Sequence, residues 1–127
     1  MKRPRVLLVD DTPEILALCA ELLKPNYEIV GTAPDGKSAI AAFETTTPDV
    51  VVLDISMPGP SGIEVARHLR SSGSLAAIVF LSGDMEFMMA AMDAGGSGFV
   101  TKAQIGSDLR VAIREALAGR VFVSSPE

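Results

Sequence analysis

The sequence predicts a doubly wound α/β fold built on a five-stranded parallel sheet. Over 127 residues, apolar runs alternate five times with segments that have helical spacing. The central run, residues 50–53, is apolar without interruption, which is typical of a strand that is buried on both faces of a parallel sheet. Short connections between parallel strands require right-handed crossovers, so we expect helices on both faces of the sheet.

The first strands and helices begin at recognisable residues. Residues 5–9 form an apolar strand, and Thr12 and Pro13 then begin a helix, because Thr is a good cap and Pro suits the first helical position. Cys19 falls on the apolar stripe of this helix. We interpret it as a small buried residue rather than a redox or catalytic group. A weaker strand follows at residues 27–30.

The later units repeat this order. Asp35 and Ser61 are expected to cap the second and third helices. The fourth strand is predicted at residues 75–81, the fifth at residues 97–101, and the last helix at residues 107–118. The fourth helix carries methionines that form either a packing stripe or an adaptable recognition surface, and these are Met85, Met88, Met89 and Met92.

Composition excludes several classes of function. There are 11 Lys and Arg against 16 Asp and Glu, and this acidic balance argues against direct nucleic-acid binding, which needs clustered basic residues. The single cysteine rules out an intramolecular disulfide, and His68 has no second His or Cys at metal-ligand spacing. No apolar run has the length of a membrane span or a signal-peptide core. We therefore expect one soluble, cytoplasmic domain without membrane contact.

Polar side chains follow four of the five predicted strands. These residues are Asp10 and Asp11 after the first strand, Asp54 after the third, Ser82 after the fourth and Lys102 after the fifth. The carboxyl ends of parallel strands meet at one edge of a sheet, where such folds place their ligand sites. Three carboxylates in one pocket repel each other unless positive charge is supplied. Lys102 supplies one charge, and Mg²⁺, which prefers oxygen ligands, would supply two.

A bound Mg²⁺ with a lysine and a hydroxyl makes a phosphoryl site, in which Asp54 is the candidate nucleophile. Each acidic residue taken alone could instead cap the helix or turn that follows it. The occurrence of the whole set at strand ends favours a shared site.

The chain resembles a response-regulator receiver domain of two-component signalling from residue 1 to about residue 118. The resemblance rests on Asp10-Asp11, on Asp54 with Met57-Pro58, on Ser82-Gly83, and on Lys102 with Phe99. It implies a flavodoxin-like (βα)5 fold with strand order 2-1-3-4-5. It also implies a receiver domain over residues 1–119, with residues 120–127 as a tail or the start of a linker to an output domain.

The resemblance implies a role for each site residue. Asp54 would accept a phosphoryl group from a sensor histidine kinase or a histidine phosphotransfer protein, and Lys102 would contact the phosphoryl oxygens. The Mg²⁺ ligands would be Asp10, Asp11, Asp54 and the backbone carbonyl of Ser56.

By the same resemblance, Ser82 and Phe99 would form a switch. Ser82 would move inward toward the phosphoryl group and Phe99 would rotate into the space that it leaves. The face made by the fourth helix, the fifth strand and the fifth helix would then change shape, and it is also a candidate homodimer surface.

Two departures from the family pattern matter, and they involve three positions. Ala103 stands where the family usually has Pro, and since a cis bond without Pro costs about 2.5–4 kcal/mol, we predict a trans Lys102–Ala103 bond. Ser56 and Asp84 occupy positions that tune dephosphorylation in the family. Asp84 is equally a candidate cap for the fourth helix.

Three functions compete. The first is a signalling switch that catalyses only its own phosphorylation and dephosphorylation. Its output is transcriptional if the natural chain continues past Glu127, because residues 118–127 resemble the segment that joins receivers to helix-turn-helix domains, and is otherwise protein binding through the methionine-bearing face. The second is a Mg²⁺-dependent aspartyl-phosphate phosphatase or phosphotransferase, although Ser56 stands where such an enzyme has a second carboxylate. The third is a receiver-like binding module that does not use phosphate.

Overall fold

The sheet of this protein is parallel throughout and has six strands in the order β2-β1-β3-β4-β5-β6. The computed structural model describes residues 2–125. The strands are β1 (Arg5–Val9), β2 (Glu28–Ala33), β3 (Val50–Asp54), β4 (Ala77–Ser82), β5 (Gly98–Thr101) and β6 (Phe122–Val123). The helices are α1 (Pro13–Leu23), α2 (Gly36–Thr46), α3 (Gly62–Ser71), α4 (Met88–Asp93) and α5 (Ile105–Leu117), and a 3₁₀ turn at Lys102–Gln104 precedes α5.

The uninterrupted apolar strands are buried on both faces, as the sequence predicts. Alternate residues of β3 point to opposite faces: Val50 and Val52 pack with α1 and α5, whereas Val51 and Leu53 pack with α2, α3 and α4. All five residues of β3 are buried. The central strand is therefore held from both sides, and its carboxyl end has a well-defined position.

Of the caps predicted for the first three helices, two form. Asp35 accepts a 2.8 Å hydrogen bond from the amide of Ser38, and Ser61 forms a capping box with Glu64. Thr12 precedes α1, but its side chain makes no capping hydrogen bond. Pro13 supplies the start of that helix instead, because its fixed φ suits the first position.

The predicted strand count was too low by one, since β6 adds to the outer edge of β5. The fourth strand begins at Ala77 rather than residue 75, and Leu75 is 96% exposed. Arg70 explains this difference, because its guanidinium donates hydrogen bonds to the carbonyls of Ser74 and Ala76 and holds residues 74–76 as a loop.

The remaining boundaries differ by a few residues. The second strand extends to Ala33, α5 begins at Ile105 rather than Ser107, and α4 begins only at Met88. The packing interpretation of the methionines holds for Met85, Met88 and Met92, which lie against the core, whereas Met89 is exposed. Cys19 is buried in the core as predicted. Within residues 2–125, no helix has the length and apolar character that crossing a membrane requires.

Candidate phosphoryl site

Two buried carboxylates lie side by side at the carboxyl edge of the sheet. Asp10 directly follows β1, and Asp54 is the last residue of the neighbouring strand β3. Each is 1% exposed, whereas Asp11 is exposed at the surface. The three side chains offer carboxylate oxygens that all lie within 4.8 Å of one another. The acidic cluster that the sequence predicts is thus a compact group in the folded chain.

Lys102 brings the one ammonium of this cluster from the turn that follows β5. Its Nζ lies 3.0 Å from Oδ2 of Asp10 and 3.2 Å from Oδ2 of Asp54. Since β4 lies between β5 and β3, the long lysine side chain is what spans this distance. Residues 2–125 contain no cis peptide bond, so the Lys102–Ala103 bond is trans, as predicted from the absence of Pro.

The two buried carboxylates are held in the same way. Oδ1 of Asp10 accepts a 2.9 Å hydrogen bond from the amide of Thr12, and Oδ1 of Asp54 accepts a 3.3 Å hydrogen bond from the amide of Ser56. In each case an amide two residues onward fixes one oxygen. The other oxygen, Oδ2, is buried and has no hydrogen bond of good angular geometry among the described residues. In both aspartates, Oδ2 forms an ion pair with the ammonium of Lys102.

These two Oδ2 atoms, which have no assigned hydrogen bond among the described residues and share one ammonium, fit a hard divalent cation. Two buried carboxylates that share one counter-charge are costly, and carboxylate oxygens grouped within 4.8 Å of one another are the kind of ligand that Mg²⁺ takes. Asp10, Asp11 and Asp54 are the residues that could hold such an ion. A single ammonium leaves the group with excess negative charge, which a cation would balance.

The ionisation of the site reflects this imbalance. Burial, followed by the charge of Asp10, raises the pKa of Asp54 to about 6, although Lys102 opposes the shift. For Lys102, burial alone would lower the pKa, but the carboxylates of Asp10 and Asp54 raise it above its usual value. Lys102 is therefore charged at neutral pH, and Asp54 is held closer to its neutral form than an exposed aspartate.

The two predicted switch residues lie on neighbouring strands. Ser82 ends β4, is nearly buried, and its hydroxyl accepts a long 3.4 Å hydrogen bond from the amide of Asp84. Phe99 lies on β5 opposite Phe80 and has no exposed surface. The aromatic ring is already inside the protein in this structure.

Asp84 does not cap the fourth helix. Its side chain accepts a 2.9 Å hydrogen bond from the amide of Glu86, which is an Asx turn, and α4 begins two residues later. A short polar turn after β4 therefore replaces the first turn of the predicted helix.

Sequence reasoning missed one residue that shapes the site. An added Cβ at Gly62 would lie 2.1 Å from the carbonyl oxygen of Asp54, so only glycine allows α3 to pass this close to the end of β3. The sequence carries a weak signal for it, since Gly62 follows the cap Ser61 directly, but the close approach itself is a tertiary contact.

Comparison with known proteins gives a consistent result. A family model described as "Response regulator receiver domain" matches residues 6–114. A protein-glutamate methylesterase/protein-glutamine glutaminase of Nocardioides sp. is 39% identical over 126 residues, which cover 92% of this chain and 34% of the relative. The DNA-binding transcriptional activator EvgA of Escherichia coli is 34% identical over 119 residues, which cover 91% of this chain and 58% of the relative.

Among solved structures, a two-component response regulator of the LuxR family from Aurantimonas sp. superposes with a TM-score of 0.88. Its sequence identity is 38%, and the match covers 95% of this chain and 89% of that one. The chain spans between about a third and three fifths of the two curated relatives above. Their other parts therefore have no counterpart in the sequence described.

Proposed function

The chain belongs to the family of response regulator receiver domains, and on this premise we propose that it accepts a phosphoryl group on Asp54. The donor is a phosphohistidine of a sensor histidine kinase or of a histidine phosphotransfer protein. The observation that carries the proposal is the position of Asp54, which is 1% exposed, ends a fully buried central strand and has the ammonium of Lys102 3.2 Å from its Oδ2.

The proposed Mg²⁺ ligands are the residues implied by the sequence. They are Asp10, Asp11, Asp54 and the backbone carbonyl of Ser56. The Oδ2 atoms of the two buried aspartates, which share the single ammonium of Lys102, support this assignment. When bound, the ion supplies positive charge that offsets the charge of the phosphoryl oxygens.

The proposed transfer moves the phosphoryl group from a histidine nitrogen to a carboxylate oxygen. An oxygen of Asp54 attacks the phosphorus, and the new O–P bond forms as the P–N bond to the donor imidazole breaks, with the electron pair leaving on that nitrogen. The amide of Ser56 holds Oδ1 of Asp54 in place. Lys102 lies where its ammonium can pair with a phosphoryl oxygen, because it already pairs with the acceptor.

The proposed response is a change on the face formed by α4, β5 and α5. A phosphoryl group adds charge and three acceptor oxygens, to which Ser82 can donate a hydrogen bond. Phe99, which is enclosed by the core, would repack as Ser82 moves. A homodimer through this face would have to form beside β6, since β6 occupies the outer edge of β5.

We further propose that the output is transcriptional and that the protein works in the cytoplasm. One relative is named as a DNA-binding transcriptional activator, and this chain matches only 58% of it, so DNA binding would reside in another domain. Residues 1–119 then form the receiver domain, and residues 120–127 are a tail or the start of a linker. The free, buried Cys19 is compatible with a reducing compartment.

The alternatives have less support. A small-molecule phosphatase of this type needs an acid or base beside the nucleophile, and the corresponding residue here, Ser56, contributes its amide instead. A module without phosphate chemistry would not account for two buried carboxylates, those of Asp10 and Asp54, that share a single ammonium.

Incubation with acetyl phosphate and Mg²⁺ tests the proposal. Mass spectrometry should show one added phosphoryl group on the wild-type chain and none on Asp54→Asn. Asp49→Asn is the matched control, since Asp49 is exposed and flanks the opposite end of the same strand. Failure of both acetyl phosphate and a cognate kinase to label the wild-type chain would overturn the proposal.

A further inference from the structure

The C-terminal residues of the described chain lie on the outer edge of β5. β6 pairs with β5 in parallel, and the amide of Ser124 donates a 2.9 Å hydrogen bond to the carbonyl of Phe99. Without this segment, β5 would be the edge of the sheet and would expose its main-chain groups to other strands. From here on, the tail means the described part of this segment, residues 120–125.

The side chain of Ser124 fastens the tail to the rest of the protein. It is 1% exposed, and its hydroxyl donates a 2.7 Å hydrogen bond to Oδ2 of Asp108 on α5. Oγ of Ser124 also accepts a 3.3 Å hydrogen bond from the amide of Thr101 at the end of β5. One buried hydroxyl thus joins the tail, α5 and β5. The next residue, Ser125, is exposed.

The tail contacts β5 at one switch candidate, Phe99, and at Thr101, which lies beside the other. Thr101, which donates to Ser124, is the residue before Lys102 and pairs with Ser82 across the β4–β5 ladder. Phe99, which accepts from the tail, is the other switch candidate. Only Thr101 therefore separates Ser82 from Ser124 along the sheet.

We propose that Ser124 is a positioning residue for the phosphoryl site, and that attachment of the tail through Ser124 and Asp108 is coupled to the phosphorylation of Asp54. A phosphoryl group on Asp54 draws Lys102 and Ser82 toward its oxygens. The end of β5 then shifts, and with it the Thr101 amide that the tail binds. This inference rests on the proposed function, because it assumes that Asp54 is the acceptor.

Coupling of this kind acts in both directions. If phosphorylation changes the attachment of the tail, release of the tail must change the balance between the two states of the site. Phosphorylation of the site would therefore change how firmly β6 is attached, and so affect a segment joined to the tail. Any force or binding that pulls that segment away from β5 would in return change the state of the site.

The first test concerns attachment and needs no phosphate. In the full chain, hydrogen exchange of the tail amides should become at least about tenfold faster in Ser124→Ala, because Asp108 and the Thr101 amide lose a buried partner. Ser125→Ala should leave exchange unchanged. Asp108→Asn keeps an acceptor oxygen and should behave like the wild type, whereas Asp108→Ala should behave like Ser124→Ala.

The second test concerns coupling. With acetyl phosphate and Mg²⁺, exchange of the wild-type tail amides should change by about fivefold, and Asp54→Asn should show no change. The rate of phosphoryl uptake should differ by a similar factor between Ser124→Ala and Ser125→Ala, with Asp108→Asn at the wild-type rate. A merely structural serine would loosen the tail without altering uptake.

The outcomes separate the two proposals. If the wild-type chain is phosphorylated but its tail exchange stays constant and both serine variants take up phosphate equally, the coupling is overturned and the proposed function stands. If neither acetyl phosphate nor a cognate kinase phosphorylates the wild-type chain, the proposed function is overturned, and the coupling is overturned with it.

Discussion

The ammonium of Lys102 lies 3.2 Å from Oδ2 of Asp54, yet the pKa of that carboxyl is raised to about 6. Burial disfavours the charged carboxylate, and the neighbouring charge of Asp10 adds to this effect. Lys102 cannot offset both of these effects, because its ammonium also pairs with Asp10, whose Oδ2 lies 3.0 Å from Nζ. The site therefore concentrates more negative charge than its own residues neutralise, at a cost to the stability of the folded chain.

Replacing the central carboxylate should stabilise the metal-free protein. Asp54→Asn keeps the shape of the side chain and removes the buried charge, so we expect the free energy of unfolding at pH 7.5 to rise by about 1–2 kcal/mol. Urea denaturation in the presence of a chelator measures this. Asp49→Asn, at the exposed opposite end of β3, is the control and should not stabilise the chain.

The same charge predicts the pH dependence of stability. Asp54 has a folded pKa of about 6, above its ordinary value of 3.8 in the unfolded chain, so folding favours the protonated form. The contribution of protonated Asp54 to the free energy of unfolding is fully present below about pH 4 and is lost as the pH rises through about 6. Wild-type stability should therefore fall between pH 4 and pH 7 relative to that of Asp54→Asn. Parallel pH profiles of the two proteins would contradict this assignment.

Removing the ammonium should have the opposite effect and should increase the benefit of Mg²⁺. Lys102→Ala leaves Asp10 and Asp54 buried without a counter-charge, which should cost about 2–3 kcal/mol at pH 7.5. Millimolar Mg²⁺ should restore more stability to this variant than to the wild type, because the ion supplies the missing charge. Urea denaturation with and without Mg²⁺ measures both values, and Lys37→Ala, at an exposed position, is the control. A variant that Mg²⁺ does not stabilise would argue against the proposed metal site.

The central part of this fold could be predicted from the sequence because local signals and tertiary packing agree there. Residues 50–53 form an uninterrupted apolar run, and a strand buried on both faces is the structure that accommodates it. The carboxyl ends of parallel strands meet at one edge, so the convergence of Asp10, Asp54 and Lys102 follows from the strand assignment alone.

The sequence could not reveal elements that depend on a partner elsewhere in the chain. β6 has only two residues, too few for any periodicity, and it forms because β5 offers an open edge and Ser124 a buried anchor. The late start of α4 has a similar cause. Met85 has helical spacing with Met88 and packs on the core, but it does so from a turn that Asp84 stabilises.

Arg70 provides a stability test for the loop that the sequence assigned to a strand. Its guanidinium donates hydrogen bonds to the carbonyls of Ser74, Ala76 and Gly95, which joins the start of β4 to the end of α4. Arg70→Ala should lower the free energy of unfolding by about 2–3 kcal/mol, since three partly buried carbonyls lose a charged donor. Arg67→Ala, at an exposed position of the same helix, should change it by less than about 0.5 kcal/mol. Equal denaturation midpoints for the two variants would contradict this role.

Cys19 should be inert in the folded protein. It is 1% exposed, and burial, with a further contribution from Asp10, raises the pKa of its thiol to about 11. Because the thiolate is the reactive form, labelling by a disulfide reagent at pH 8 should be at least about a hundredfold slower than in urea. Ala17→Cys in a Cys19→Ala background places a thiol on the exposed side of the same helix and should react rapidly. Rapid labelling of native wild-type Cys19 would show that the core opens there.

The close approach of Gly62 to Asp54 links backbone packing directly to the site. An added Cβ at Gly62 would lie 2.1 Å from the carbonyl oxygen of Asp54 and 2.9 Å from Cα of Ile55, and neither atom belongs to a flexible side chain. Gly62→Ala must therefore push α3 away from the end of β3. We expect a loss of about 2–4 kcal/mol in the free energy of unfolding, because overpacking against backbone is poorly relieved.

The displacement should also reduce phosphoryl uptake, since it moves Asp54 relative to Lys102. Uptake from acetyl phosphate should fall by at least about tenfold in Gly62→Ala under conditions where circular dichroism shows a folded chain. Gly106→Ala is the matched control, because Gly106 is an exposed helical residue with no atom within 4 Å of an added Cβ. That variant should take up phosphate normally and, as alanine favours helix, should be slightly more stable. If Gly62→Ala matches the wild type in stability and in phosphoryl uptake, the end of β3 tolerates displacement. That result would contradict the rigid placement of Asp54 inferred from its burial.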